Sequence, residues 1–208
     1  MSDVNTRESH WDEVYRTKGD SDVSWFEEVP LLSLELIAAN SGPTDAIIDI
    51  GGGASRLPDT LLARGYSDVT VLDISAEALA KATDRVESEG GKAEWIVADV
   101  TQWRPGRSYD LWHDRAAFHF LTHPADQAAY AGVLAAALRP GGTAIIATFA
   151  PDGPEKCSGL PVMRHDGHSI AAILGSGFQF EQELRHDHHT PWGSVQRFQF
   201  SVFRRLAL

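Results

Sequence analysis

The sequence predicts an α/β protein with a doubly wound parallel sheet, on two observations. From residue 45 onward, short β-branched runs alternate with segments of helical periodicity, the pattern of strands joined by crossover helices. The first and last of these runs are apolar almost without interruption, as strands covered on both faces must be.

Taken in order, Pro30 opens a helix through Leu31, Leu34, Leu36 and Ile37. The first sheet strand is Ala46-Ile47-Ile48-Asp49-Ile50. A helix over 56–64 follows, with Leu57, Leu61 and Leu62 on one face and Gly65 as its stop. Strand two is Val69 to Asp73, and Ser75 caps a helix through Leu79, Ala82 and Val86 that Gly90-Gly91 ends. Strand three is Glu94 to Val97, and strand four is Tyr109 to His113. Pro124 starts the next helix, with Tyr130, Val133, Leu134 and Leu138 turned inward and Pro140-Gly141-Gly142 leading to strand five, Thr143 to Phe149. The tail reads as a short helix over 169–174 and two strands, Phe178 to Leu184 and Val195 to Phe203, an antiparallel pair at a sheet edge. In the second, Phe198, Phe200 and Val202 alternate with Arg197, Gln199 and Ser201.

The chain has 208 residues, 43% hydrophobic and 23% charged, enough for one core. Residues 1–208 are read as one domain, with 1–40 as an N-terminal helical lid. A net charge of −11 without a basic run argues against a nucleic-acid partner. Residues 1–10 lack the apolar core of a secretory signal, and no apolar stretch approaches membrane-spanning length. The single cysteine, Cys157, rules out an internal disulfide framework. A cytoplasmic location is expected; oligomeric state is unreadable.

Chemistry concentrates at the strand ends. The first strand leads through Asp49 into Gly51-Gly52-Gly53, a turn that brings bare backbone amides against a ligand. The second ends in Asp73, placed to accept both hydroxyls of a ribose, and the third leads to Asp99-Val100, where a carboxylate can meet an adenine amine. A dinucleotide oxidoreductase is the rival reading. Its fingerprint wants a third glycine where this chain has Arg56.

With these motifs the chain resembles the class I S-adenosylmethionine (SAM)-dependent methyltransferases over essentially its whole length. The resemblance implies a Rossmann-like seven-stranded sheet of order 3-2-1-4-5-7-6, its last strand antiparallel, with helices on both faces. It implies SAM as cofactor: Gly51, Gly52 and Gly53 at the methionine part, Asp73 with Ile74 at the ribose, and Asp99 with Val100 at the adenine. Asp49 holds the amino end or orders the loop. His10 to Tyr15 and Val23 to Phe26 look like the front lid of a bacterial subgroup, with Trp11 and Trp25 folded over SAM. The same aromatics also read as a staple covering the sheet edge.

For the acceptor, Asp114-Arg115-Ala116-Ala117 resembles a segment of thiopurine S-methyltransferase-like enzymes and, more loosely, one of some protein lysine methyltransferases. That suggests transfer to a small molecule, a sulfur or selenium nucleophile favoured, with protein lysine methylation and non-catalytic SAM binding as alternatives. His113, Asp114 and His119 are the candidate proton acceptors, and Arg115 and Trp192 the candidate substrate contacts. Read structurally, the first group is an Asp–Arg pair organising a loop, with His119 packed at a helix start. Two further segments, 157–162 and the histidine-rich 186–193, read as lid loops. No metal site is expected, because the histidines there and at His165 and His168 fall in segments read as loops.

Overall fold

A computed structural model describes residues 4–207; residues 1–3, at the start of the segment read for a signal, lie outside them. Seven strands form the main sheet: β1 Ile47–Ile50, β2 Val69–Asp73, β3 Glu94–Val97, β4 Tyr109–Arg115, β5 Leu138–Phe149, β6 Phe178–His189 and β7 Val195–Arg205. Their order is 3-2-1-4-5-7-6, parallel except for β7, which runs antiparallel to both β5 and β6. A two-residue ribbon, Lys156–Cys157 with Leu160–Pro161, stands apart. The helices are α1 Val4–Thr17, α2 Leu31–Asn40, α3 Leu57–Ala63, α4 Ala76–Ser88, α5 Pro124–Ala137 and α6 Gly167–Leu174.

Consecutive strand residues point to opposite faces, so an unbroken apolar strand feeds two cores at once. Ile48, Trp112, Ile146 and Phe203 belong to the core under α5 and α6. Their neighbours Ile47, Leu111, Ile145 and Val202 belong to the core shared with Leu34 and Ile37 of α2 and Leu57 and Leu61 of α3. Ser75 caps α4 as its sequence suggests, its hydroxyl accepting from the Ala78 amide at 3.1 Å.

Two expectations need correction. β4 runs on to Arg115, so Asp114 and Arg115 are strand residues rather than the start of a loop. β7 lies between β5 and β6, as the expected strand order has it, and its polar Gln199 and Ser201 are fully buried. They are tolerated because Gln199 Nε2 donates to Thr148 Oγ1 at 2.9 Å and Ser201 donates to Gln199 Oε1. The histidine-rich 186–193 is not a lid loop: β6 continues through His189, pairing residue by residue with β7, and only the turn beyond it is loop.

Beneath the C-terminal end of β4 lies a buried polar chain. Trp112 Nε1 donates to Tyr130 OH at 2.8 Å, and that hydroxyl donates to Asp114 Oδ2 at 2.8 Å. Asp114 also accepts the Ala117 and Phe118 amides at 2.9 and 3.1 Å, which fixes the turn above β4. We predict that Tyr130→Phe, which strands a buried indole N–H and leaves the carboxylate one donor short, destabilises the fold by about 1–3 kcal/mol. Urea denaturation measures this; an unchanged midpoint would show that the chain contributes nothing.

Candidate functional site

The register of β1 on β4 sets Asp49 directly opposite His113, both on the face covered by α2. His113 Nδ1–H donates to Asp49 Oδ1 at 2.7 Å, and Nε2 accepts from the Ser33 hydroxyl of α2 at 3.0 Å. All three are almost fully buried. The other Asp49 oxygen lies against the glycine turn: a Cβ at Gly52 would stand 2.6 Å from both Asp49 Oδ2 and Val71 Cγ1. Gly51 and Gly53 take positive φ, +65° and +46°, which side chains resist. A Cβ at Gly53 would also crowd Tyr15 OH at 2.6 Å.

Above this turn opens a cavity of about 780 Å³, counting the open solvent at its mouth. Its floor is the strand ends, with Gly51, Asp73 and Ile74 on one side and Asp99 and Val100 further along. Burial pushes the Asp73 carboxyl up to about 6, against the backbone hydrogen bonds from Ser75, Gly53 and Ile74 that favour its charge. It is a desolvated acceptor facing a cavity. Asp99 is more fully engaged: Oδ1 accepts the Thr101 amide and hydroxyl at 2.8 and 2.7 Å, and Oδ2 pairs with Arg7 at 2.9 Å.

The roof is N-terminal. Arg7, Trp11 and Tyr15 repeat every fourth residue, so α1 turns all three into the cavity. Trp11 packs edge-on against Trp25 and Phe120, with ring centres 5.7 and 5.0 Å apart. Polar ties hold this roof down. Asp12 accepts from the Ser75 hydroxyl at 2.6 Å, and Lys81 donates to the backbone carbonyls of Tyr15 and Lys18. Arg115 NH1 donates to the Trp25 carbonyl at 2.9 Å, and NH2 meets Glu27 at 3.1 Å.

Of the sequence-derived positions, Trp11, Trp25, Gly51, Asp73, Ile74, Asp99, Val100 and Arg115 meet around this cavity. Asp49, Gly52 and His113 line a neighbouring cavity on the far side of the turn, which shares Gly51, Trp25 and Arg115. Gly53 sits in the turn itself, against Tyr15 and Asp73. Asp114 lies below, held by Tyr130 rather than by Arg115, and burial pushes it up to about 6. His119 is fully buried beside Phe149 and Phe120, and burial drives it down to about 3, so its ring is neutral. Trp192 is 61% exposed in the β6–β7 turn and lines neither cavity. Sequence reasoning missed Arg7, Ser33, Glu27 and Phe120. The spacing of residues 7, 11 and 15 carried the signal for Arg7.

Among known proteins, the methyltransferase domain family matches residues 47–142. A curated relative, malonyl-[acyl-carrier protein] O-methyltransferase 2 of Ilyobacter polytropus, is 27% identical over 107 residues, 51% of this chain. The match spans only 40% of that relative's length. A structure from work on conversion of a disulfide bond into a thioacetal group during echinomycin biosynthesis superposes with a TM-score of 0.77 at 22% identity, covering 96% of this chain and 93% of that one. Magnesium protoporphyrin IX methyltransferase of Synechocystis with bound SAM gives 0.73 at 18% identity, over 99% and 98% of the two chains. The 1,6-didemethyltoxoflavin-N1-methyltransferase of Burkholderia thailandensis, with S-adenosylhomocysteine, gives 0.69 at 19%, over 99% and 87%. Residues 47–142, which build the glycine turn and its two acidic neighbours, thus match the methyltransferase domain family by sequence, within a chain whose whole length superposes on the fold of SAM-dependent methyltransferases.

Proposed function

We propose that the protein transfers the methyl group of SAM to a small-molecule acceptor that arrives with its accepting lone pair already free, a thiolate or selenolate being favoured. One observation carries this reading: among the described residues, no free base faces the main cavity. Its acids are Asp73, at the cofactor end, and Asp99, paired with Arg7. His113 has both ring nitrogens engaged, Asp114 is enclosed, and His119 is neutral and outside the lining. Burial pushes the Cys157 thiol up to about 12, so it is neither base nor nucleophile.

The residues present suit the cofactor. Asp73 is a desolvated double acceptor for ribose hydroxyls, and Asp99 and Val100 bound the adenine end. Gly51 and Gly52 leave backbone accessible toward the methionine end, with Asp49 ordering the turn from below. SAM supplies an electrophilic methyl on a sulfonium sulfur. The chain's part is to align acceptor and methyl and exclude water, which Trp11, Trp25 and Phe120 do from above. Arg115 offers a buried positive charge beside the acceptor space, fitting an anionic partner. A lysine ammonium would meet that guanidinium and find no proton acceptor, which weighs against protein lysine methylation. Relatives named for magnesium protoporphyrin and didemethyltoxoflavin support a small acceptor.

Four outcomes follow for purified protein. Calorimetry should show Asp73→Ala weakening SAM binding more than Asp99→Ala, because Asp73 can accept from two hydroxyls whereas Asp99 already has Arg7; wild-type affinity in Asp73→Ala would remove this cofactor placement. The hydroxyls bind the ionised carboxylate, so SAM affinity should climb as pH rises through about 6 and then level, a step absent in Asp73→Asn. With a panel of thiols, selenols, carboxylates and amines, label from SAM should reach thiols or selenols first. His119→Gln should keep kcat/KM within about tenfold, where loss of a general base costs roughly 100- to 10,000-fold.

A further inference from the structure

Away from the main cavity, the upper end of β6 brings two histidines to a carboxylate of the roof. His186 and His188 stand two apart on the strand and so share a face, and Glu27 follows Trp25 in the roof segment. One ligand-type atom of each lies within 4.8 Å of the others. Glu27 Oε1 is 3.1 Å from His188 Nδ1 and 3.6 Å from His186 Nε2. The expectation of no metal rested on these histidines lying in a loop. They lie instead on a strand paired residue by residue with β7.

His188 is set up as a ligand. Its Nε2 lies 2.6 Å from the Ser24 carbonyl, which can only accept, so that nitrogen carries a proton. With the ring protonated, Nδ1–H donates to Glu27 Oε1 at 3.1 Å; with the ring neutral, a lone pair faces that oxygen and a cation must bridge the two. Arg115 NH2 supplies one, 3.1 Å from Glu27 Oε1 and 3.4 Å from His188 Nδ1. An imidazole fixed through its second nitrogen to a backbone carbonyl, beside a carboxylate with its own outer donor, is how proteins orient metal ligands.

We propose that Glu27, His186 and His188 bind a divalent transition metal of the zinc type, which takes over the bridging position of Arg115 NH2. Two imidazoles and one carboxylate suit zinc or cobalt, and supply too few oxygens for calcium or magnesium. A fourth position opens to solvent beside His186, which is a third exposed. The ion would clamp the roof segment that carries Trp25 onto the sheet edge and release one arm of Arg115 beside the cavity it lines.

The test is calorimetric titration of the metal-stripped full-length chain with Zn²⁺, and with Co²⁺ followed by its visible absorption. One ion per chain is expected, with tetrahedral cobalt bands and a melting temperature that rises with metal. His186→Ala and His188→Ala should each weaken binding by about tenfold or more. His189→Ala, on the opposite face of the strand, should not. His186 is partly exposed on an edge strand, so its variant folds even if that at the buried His188 does not. Absence of saturable binding, unchanged affinity in His186→Ala, or an equal loss in His189→Ala would overturn the site.

Discussion

Asp49 is a carboxylate sealed into the end of the central strand, and the means of holding it there organises what lies above. A buried acid without partners costs several kcal/mol. Here the partner is delivered by register, since parallel pairing of β1 with β4 sets His113 across from Asp49, and α2 brings Ser33 to the far side of the same ring. The chain Ser33–His113–Asp49 therefore joins helix, neighbouring strand and central strand in one hydrogen-bonded line. Its last oxygen occupies the space where a side chain at position 52 would go. The bare turn is thus a consequence of packing as much as of any ligand.

The two imidazoles read as catalytic candidates show how position decides chemistry. His113 and His119 are six residues apart and both buried, yet neither is free to take a proton from the cavity. One is tied at both nitrogens, and the other is held neutral among aromatic rings. Asp114 is spent on a turn and a tyrosine. What remains open to a guest is two acids suited to a nucleoside, a guanidinium and a set of indole and phenyl faces. Such a surface binds, aligns and dries. On the proposed reading it leaves the ionisation of the acceptor to the acceptor.

The sheet was legible because its signals are local. Strand runs such as Val69 to Asp73 and the Ser75 cap depend on a few adjacent residues, and the strand-end acids Asp73 and Asp99 follow from the alternation itself. What was not legible depends on residues far apart. That Gln199 could be buried rests on Thr148, about fifty positions away. That residues 186–189 are strand rests on pairing with 195–198, since their own composition reads as loop. Arg7 meets Asp99 and Glu27 meets His188 only once the N-terminal segment folds across the sheet. Periodicity can mark the face of such a segment, but not what it covers.

The crevice at the strand ends suits an adenosyl sulfur ligand and lacks the third glycine of a dinucleotide site. Differential melting of the purified chain with S-adenosylhomocysteine, and separately with oxidised nicotinamide dinucleotide, tests it most directly. A saturable rise in melting temperature is expected with S-adenosylhomocysteine and none with the dinucleotide. A rise with the dinucleotide alone would contradict it.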